Sequence, residues 1–338
     1  MKQETSHLWG DKPYKSLDWE LKSLFGQKIY KISLDAGCTC PTRDGTKGYG
    51  GCTFCSAGGS GDFAERGSTV ETQMTAAKER IISKMPRKTG SPEPRFIAYY
   101  QSFTNTDGDV AALRSQFMAA ITQPDIVGLS IGTRPDCLPP EMVAMLKELN
   151  AIKPVWVELG LQTIHEHTAE LINRQYPLTV FEDAYRRLKD AGIRVVVHVI
   201  LGLPGETKAD MEATVRYLGT LSGGLGPDGI KLQLMHILRG TRLAEQVAAG
   251  EVTVHPWELE EYVDFVIDMV ELLPPSVTVH RLTGDGAKRD LISPLWSGDK
   301  KRVLNTITRR FKERETWQGR RIKEIPNQVR DDICIQLS

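Results

Sequence analysis

The chain has 338 residues, in which 43 lysines and arginines balance 43 aspartates and glutamates. This length suits one large α/β domain with extensions or two ordinary domains. The balance of charges excludes a net electrostatic field that would recruit nucleic acid or membranes, but it is compatible with a local basic face. Residues 1–22 are polar and lack the apolar core of a signal peptide, and no later segment has the apolar run of a membrane span. We therefore expect a cytoplasmic protein with no membrane partner.

The predicted elements alternate between strands and amphipathic helices. Apolar runs predict strands at 28–34, 95–103, 126–132, 155–162, 194–203 and 229–238. Helical spacing predicts helices at 69–85, 109–121, 140–150, 164–174, 180–191 and 208–221. The remaining chain predicts helices at 241–249, 256–273 and 300–312, with an extended piece at 277–282.

This alternation predicts an α/β fold with a parallel sheet and right-handed crossovers. Six strands are too few for a closed eight-stranded barrel, so a partial (βα)6 barrel fits better. We expect an N-terminal extension at 1–27, a core at 28–275 and a C-terminal extension with a basic tail at 276–338.

A glycine-rich loop directly follows the first predicted strand and holds four of the six cysteines: Cys38, Cys40, Cys52 and Cys55. The loop has too few apolar residues to be held by packing, and clustered thiols in a reducing compartment indicate metal ligands. Thiolates select zinc, as in a closed zinc knuckle, or an iron–sulfur cluster, and the spacing alone leaves both open. We interpret Cys137 and Cys334 as small buried or incidental thiols.

Polar side chains fall at or near the carboxyl ends of the other predicted strands. They lie in the segments 101–107, 132–136, 158–163, 198–206 and 231–236. Parallel α/β folds bind ligands at the carboxyl ends of their strands, and unpaired polar groups inside apolar runs are costly to bury. We expect these side chains to face a shared polar cavity beside the cysteine loop.

Five motifs carry a family resemblance. They are Cys40-x11-Cys52-x2-Cys55, Tyr100-Gln-Ser-Phe-Thr-Asn-Thr106, Ile131-Gly-Thr-Arg-Pro-Asp136, Gly160-Leu-Gln162 and Gly202-Leu-Pro-Gly-Glu206. Together they resemble the radical S-adenosylmethionine (radical SAM) superfamily, in the branch that includes the Elongator catalytic subunit and oxygen-independent coproporphyrinogen oxidase. Within that branch the chain is similar to a bacterial family from about residue 28 to residue 296.

The resemblance implies that Cys40, Cys52 and Cys55 bind a 4Fe-4S cluster whose fourth iron is open. Cys38 is then a bystander, although as a fourth ligand it would close the site. Most members separate the first two ligands by three residues rather than eleven. Lengthening a flexible loop by this much costs only about 1 kcal/mol, and four glycines would let it double back: Gly45, Gly48, Gly50 and Gly51.

The resemblance further implies that S-adenosylmethionine chelates the open iron and is cleaved to a 5′-deoxyadenosyl radical. The implied cofactor-binding residues are Phe54, Gln101, Thr104, Asn105, Glu158, Gln162 and Gly202. For Glu158 the alternative is a structural ion pair with Arg134 or Lys231. Substrate-side candidates are His198, Lys231, His236, Arg239, His280 and Arg281, with His198 equally compatible with a satisfied core histidine, and no catalytic residue is assigned.

For the reaction, the resemblance implies conversion of carboxymethylaminomethyl-uridine to aminomethyl-uridine at the tRNA wobble position. The implied partners are tRNA and a reductase, flavodoxin or ferredoxin-type electron donor. Alternatives are a porphyrin or other small metabolite as the substrate, or a non-enzymatic zinc-knuckle binding protein. The tail at 309–323 interleaves basic and aromatic residues. This pattern is compatible either with a tail that contacts a nucleic acid or with a solvated terminal segment.

Overall fold

The structure, a computed structural model, describes residues 7–59, 64–65, 67, 69–85, 92–284 and 286–322. Its strands are β1 (Ile29–Leu34), β2 (Arg95–Tyr100), β3 (Ile126–Thr133), β4 (Val155–Gln162), β5 (Arg194–Leu201), β6 (Gly229–Leu234), β7 (Ile237–Leu238), β8 (Thr278–Arg281) and β9 (Leu291–Ser293). Its helices are α1 (Leu17–Phe25), α2 (Val70–Ile82), α3 (Val110–Ile121), α4 (Pro140–Ile152), α5 (Glu166–Leu171), α6 (Leu178–Asp190), α7 (Lys208–Gly224), α8 (Arg242–Ala248), α9 (Leu259–Glu271) and α10 (Lys300–Glu313).

Seven parallel strands form one curled sheet in the order β1-β2-β3-β4-β5-β6-β8. This half-barrel confirms the predicted α/β partial barrel, with seven strands rather than six. The additional strand, β8, comes from the extended piece predicted at 277–282 and pairs with β6, so the sheet continues past residue 275. The last predicted strand, 229–238, is two strands, because β7 leaves the sheet and pairs antiparallel with β9.

Alternation along the strands gives the sheet two different faces. The outer face packs against the helices in the largest hydrophobic cluster, for example through Ile32, Leu129 and Val197. Because this face is fully apolar, it can be sealed by amphipathic helices without unpaired polar groups. The residues between these positions point into the half-barrel and line its interior.

Helix α1, which the sequence analysis did not foresee, closes the amino end of the half-barrel. Its Leu17, Leu21 and Phe25 pack in a separate hydrophobic cluster with inward-facing strand residues: Ile29, Ile97, Val127, Trp156 and Val196. The helix begins at Ser16, whose hydroxyl accepts a hydrogen bond from the backbone N–H of Trp19. The predicted N-terminal extension therefore contributes the apolar floor of the interior.

Helix α10 packs on α9 through an acid–base seam that uses part of the predicted basic tail. Arg310 contacts Glu260 at 2.7 Å, and Arg314 contacts Asp268 at 2.5 Å and Glu271 at 2.9 Å. These side chains therefore serve packing within the chain. Lys323 and Cys334 lie outside the described residues, and Cys137 is buried as predicted. Across the described ranges, each helix is too short or too polar to cross a bilayer.

Candidate functional site

The cysteine loop lies at the carboxyl end of β1 and doubles back on itself. The backbone N–H of Gly51 donates to the carbonyl of Thr42 at 2.8 Å, and Thr53 is tied to Ile172 and Leu243 at 3.0 and 2.8 Å. Four glycines have positive φ, as their proposed role requires: Gly45, Gly48, Gly50 and Gly51. The eleven-residue gap is therefore a compact, anchored turn rather than an open loop.

Arg43 joins the two ends of this loop, a contact that the sequence analysis missed. Its Nη2 donates to the carbonyls of Cys55 at 3.1 Å and Ser56 at 2.8 Å, and its guanidinium lies 5.5 Å from the ring centroid of Phe103. A Cβ on Gly51 would lie 2.8 Å from Arg43 Nε, so glycine makes room for the side chain. Arg43 therefore brings the segment after Cys40 against the segment after Cys52.

Three of the four clustered thiols, those of Cys40, Cys52 and Cys55, line one cavity of about 240 Å³, here called the cluster cavity. Burial, together with the Cys55 and Cys40 sulfurs, raises the pKa of Cys52 to about 12, against the lowering effect of Arg134 and Arg43. Ligating thiols must be deprotonated, so thiolates that line one cavity need a compensating cation. The donor set therefore fits a soft metal centre.

Cys38 has a different environment. It packs against the large hydrophobic cluster behind the sheet, and burial, with Asp107 and Asp35 adding, raises the pKa of its thiol to about 11. This placement favours the bystander interpretation of Cys38 over that of a fourth ligand.

Five of the seven predicted cofactor-binding residues line the cluster cavity: Phe54, Gln101, Thr104, Glu158 and Gln162. The other two hold the scaffold around it. The Asn105 amide donates to the carbonyls of Tyr100 at 3.1 Å and Gly132 at 2.8 Å, and so ties the end of β2 to the end of β3. Gly202 has φ +91°, and a Cβ there would lie 2.5 Å from Trp257 Nε1.

The centre of the interior is the Glu158 carboxylate, whose side chain is fully buried. Oε1 accepts hydrogen bonds from Lys31 Nζ at 2.9 Å and Ser130 Oγ at 2.6 Å. Oε2 contacts His198 Nε2 at 2.8 Å and also accepts from Lys231 Nζ. One carboxylate on β4 thus contacts side chains from β1, β3, β5 and β6. The structural ion pair between Glu158 and Lys231 is therefore observed, whereas Arg134 pairs with Asp136 instead.

Charge and burial oppose each other in this network. Burial alone would raise the pKa of Glu158, but Lys231 and Lys31 hold it well below its usual range. Burial lowers the pKa of Lys231 to about 7 in spite of Glu158, with Arg281 and Lys31 adding to the decrease. Burial, with Lys231, lowers the pKa of His198 to about 4. The carboxylate is therefore ionised, and the His198 imidazole is neutral at physiological pH.

The substrate-side candidates divide by position. Four of them line the cluster cavity: His198, Lys231, His236 and Arg281. His236 is held at both ring nitrogens, because Nδ1 accepts from the Gly286 N–H at 3.2 Å and Nε2 lies 2.9 Å from Ser297 Oγ. Arg239 is exposed on the turn that follows β7.

A second cavity, here called the lateral cavity, opens between the edge strands β1 and β8 and has a volume of about 370 Å³. Its described lining is Leu17, Lys31, Ser33, Tyr99, Gln101, Lys231, His280, Arg281 and Lys300. It contains the remaining substrate-side candidate, His280. It shares four residues with the cluster cavity: Tyr99, Gln101, Lys231 and Arg281.

Several side chains at the site are absent from the sequence-based predictions: Lys31, Arg43, Tyr99, Arg174 and Tyr176, which line these cavities, and Ser130, which donates a hydrogen bond to Glu158. Lys31, Tyr99 and Ser130 sit inside strands at inward-facing positions, and Tyr99 receives a hydrogen bond from Lys231 at 3.0 Å. A usable signal was the alternation of β1, in which Lys31 and Ser33 share a face opposite Ile32 and Leu34. Tyr99 gives no such signal, since an aromatic residue is ordinary in an apolar strand.

Comparison with known proteins gives a consistent result. The Radical SAM superfamily profile matches residues 46–218, and the Radical SAM C-terminal domain profile matches residues 227–313. Bacillus subtilis (strain 168) YtqA is 43% identical over 311 residues, covering 92% of this chain and 93% of that protein. Escherichia coli (strain K12) YhcC is 36% identical over 279 residues, covering 82% and 85%.

A solved structure shares the fold. The archaeal Methanocaldococcus infernus Elp3 with an N-terminal deletion superposes with a TM-score of 0.64 at 17% identity, covering 86% of this chain and 64% of that chain. At this level of identity the similarity concerns the fold alone.

Cysteine substitutions test the ligand set. We expect alanine at Cys40, Cys52 or Cys55 to reduce bound iron to background, because each removes one of the thiolates that line the cluster cavity. The Cys38→Ala variant should keep its iron and serves as the matched control. Iron, zinc and acid-labile sulfide are measured after anaerobic reconstitution. Iron loss in Cys38→Ala with retention in Cys40→Ala would contradict the assignment.

Substitution of Arg43 tests the closure of the loop. The Arg43→Gln variant loses the guanidinium bonds to two carbonyls, and hydrogen bonds to charged groups contribute roughly 1.5–3 kcal/mol. We expect at least about tenfold faster removal of iron by a chelator, with Arg43→Lys intermediate. Arg242→Gln is the control, since Arg242 is exposed beside Gly50 in the same region. Equal rates in Arg43→Gln and wild type would refute this role.

His236 should make stability depend on pH. Burial, with Lys300 and Arg281 adding, lowers its pKa from 6.5 to about 4. Below pH 6.5 the unfolded chain binds a proton there that the folded chain does not, so stability falls as the pH falls toward 4. Between pH 7 and pH 5 this amounts to about 2 kcal/mol.

In urea unfolding at these two pH values, His236→Gln should lose about this much less stability than wild type. The exposed His167→Gln should follow wild type and controls for the loss of a histidine as such. An unchanged pH dependence in His236→Gln would show that the folded chain protonates His236 normally.

Proposed function

The chain belongs to the radical SAM superfamily, and we propose that within it the chain acts on tRNA, converting the carboxymethylaminomethyl side chain of a wobble uridine to an aminomethyl side chain. Membership confirms the resemblance seen in the sequence and makes the chain an enzyme with a 4Fe-4S cluster and S-adenosylmethionine as cofactors. Together these cofactors supply a 5′-deoxyadenosyl radical by one-electron cleavage of the sulfonium.

The residues of the cluster cavity would divide the work of holding these cofactors. Cys40, Cys52 and Cys55 would ligate the cluster, and Phe54 and Gln162, which line the same cavity, would contact the nucleoside part of S-adenosylmethionine. Glu158 has both oxygens occupied by Lys31, Ser130, His198 and Lys231. We therefore assign Glu158 to the positioning of these four side chains, two of which, His198 and Lys231, line the cluster cavity.

The observation that carries the proposal of an RNA substrate is the position of α10. Lys300, at the start of this helix, lies in the mouth of the lateral cavity. Lys301 and Arg302 line a shallow exposed groove along the same helix, together with Asp299 and with Arg309, which pairs with Glu260 and Glu313. A basic surface thus continues from the cavity mouth outward, which suits a phosphate backbone held outside while one unstacked base reaches in.

The motif resemblance supports the same substrate. The strand-end segments that resemble the Elongator branch converge on the cluster cavity, for example at Gln101, Arg134 and Gln162. In that branch the resemblance implies chemistry on the wobble uridine of tRNA. The acid–base seam between α9 and α10 narrows the expected RNA contact to the first turns of α10, because Arg310 and Arg314 already pair with acidic residues of α9.

Nucleoside mass spectrometry of tRNA tests the proposal. A strain that lacks the gene should accumulate carboxymethylaminomethyl-uridine and lose aminomethyl-uridine and any nucleoside made from it. Wild-type protein and Cys38→Ala should restore the pattern, while Cys52→Ala should not, because it lacks a cluster ligand. Unchanged wobble nucleosides in the deletion strain would reject tRNA as the substrate and leave a small metabolite as the alternative.

A further inference from the structure

Strand β4 ends irregularly at the wall of the cluster cavity. Gly160 pairs with His198 and Gln162 with Val199, so two residue steps of β4 face one step of β5, which is a β-bulge. Gln162 also has a φ of +65°, a left-handed conformation that costs free energy for a residue with a side chain. Such a conformation persists only where its surroundings hold it, so the end of this strand needs support from another element.

Two side chains in the connection between α5 and α6 provide that support. Arg174 is almost fully buried and donates to the carbonyls of Leu161 at 3.0 Å and Thr163 at 2.6 Å. Tyr176 is also buried, and its hydroxyl donates to the carbonyl of Gly160. These donors therefore satisfy three backbone carbonyls around the bulge, which buried carbonyls require.

The same connection also holds the cysteine loop. The Asn173 amide donates to the carbonyls of Tyr49 at 3.1 Å and Gly51 at 2.7 Å, and the carbonyl of Ile172 accepts the backbone N–H of Thr53 at 3.0 Å. The last two of these loop residues flank the second cysteine of the ligand motif. The connection thus contacts the cysteine loop on one side and the end of β4 on the other, and it fixes their relative position.

Tyr176 is the member of this connection that reaches a side chain of the cofactor site. Its hydroxyl donates to Gln162 Oε1 at 3.3 Å, and both residues line the cluster cavity together with Cys52. The guanidinium groups of Arg134 and Arg174 lie 4.9 and 4.7 Å from the centre of its ring. Cation–π contacts of this kind are attractive, and the ring is therefore held with its hydroxyl at one end of the Gln162 amide.

We propose that Tyr176 is a positioning residue for S-adenosylmethionine and that it acts through Gln162. The hydroxyl holds Oε1 of Gln162, so the Nε2 end of the amide remains to donate a hydrogen bond to a ribose hydroxyl of the cofactor. Gly160 leaves room for this amide, because a Cβ there would lie 2.5 Å from Nε2. The inference concerns the cofactor and goes beyond the proposed function, since it holds for any substrate.

The test measures binding of S-adenosylmethionine to the reconstituted holoenzyme by anaerobic equilibrium dialysis. The cluster is kept oxidised, so that it supplies no electron and the cofactor stays intact. Tyr176→Phe keeps the aromatic ring between the same neighbours and removes only the hydroxyl. We expect its dissociation constant for S-adenosylmethionine to rise roughly three- to tenfold, the scale of one hydrogen bond. Its iron content should equal that of wild type, because the cysteine loop is held by other residues of the connection.

Tyr185→Phe is the matched control, because it removes a tyrosine hydroxyl that contacts Ser222 at 2.8 Å on the helical side of the sheet. It should bind the cofactor within about twofold of wild type. Gln162→Met keeps the length of the side chain, removes its amide and should weaken binding at least as much as Tyr176→Phe. If the hydroxyl acts through Gln162, the double variant binds no more weakly than Gln162→Met alone, which a purely structural role of Tyr176 would not produce.

Wild-type affinity in either Tyr176→Phe or Gln162→Met overturns the proposal, and the second variant decides it even where the first does not fold. Additive losses in the double variant also overturn it, because the hydroxyl then acts independently of Gln162. Loss of iron in Tyr176→Phe shows that the hydroxyl supports the cysteine loop instead, with the same consequence. Each of these results leaves the proposed tRNA substrate intact, which the deletion strain tests separately.

Discussion

A single buried carboxylate organises the interior of this half-barrel. Glu158 on β4 has a fully buried side chain and is contacted by Lys31, Ser130, His198 and Lys231, which come from four other strands. An ion buried without partners would cost several kcal/mol, so the sheet must curl far enough to bring these donors together. The same contacts hold the donors in fixed positions facing the two cavities. The curvature of the sheet and the electrostatics of the site therefore depend on the same interaction.

The interior is layered along the strand direction, and each layer has one task. The floor is apolar and is sealed by α1 against residues such as Ile29 and Trp156. The Glu158 network forms the next layer, and the cluster cavity with its three thiols lies above it. This order keeps water away from the amino end and leaves access through the carboxyl end and the lateral cavity. Radical chemistry needs such an arrangement, since the protein must exclude water while it positions the reacting groups.

The net charge of zero conceals a local separation of acidic and basic side chains. On α10, Arg310 and Arg314 are matched by the acidic residues of α9, whereas Lys300, Lys301 and Arg302 point to the cavity mouth and the adjacent groove. One helix thus both stabilises the C-terminal packing and extends the basic surface of the site. Salt bridges at half-exposed positions contribute little stability each, so the arrangement matters more for leaving the side chains of Lys301 and Arg302 exposed than for folding.

The sequence by itself determined the local elements and the metal loop. Alternating and helical periodicity located the strands and most helices, and the glycines and cysteines of residues 38–55 predicted a metal site, because these signals depend only on neighbouring residues. What tertiary structure decided is which side chains meet. Lys31, Tyr99 and Lys231 lie on strands far apart in the chain, and only the register and curvature of the open sheet bring them around one carboxylate. Likewise, α1 closes the amino end of the half-barrel, β8 joins the sheet as its seventh strand, and Arg43 holds the cysteine loop together. Each of these roles depends on contacts with residues distant in sequence, which no local pattern can predict.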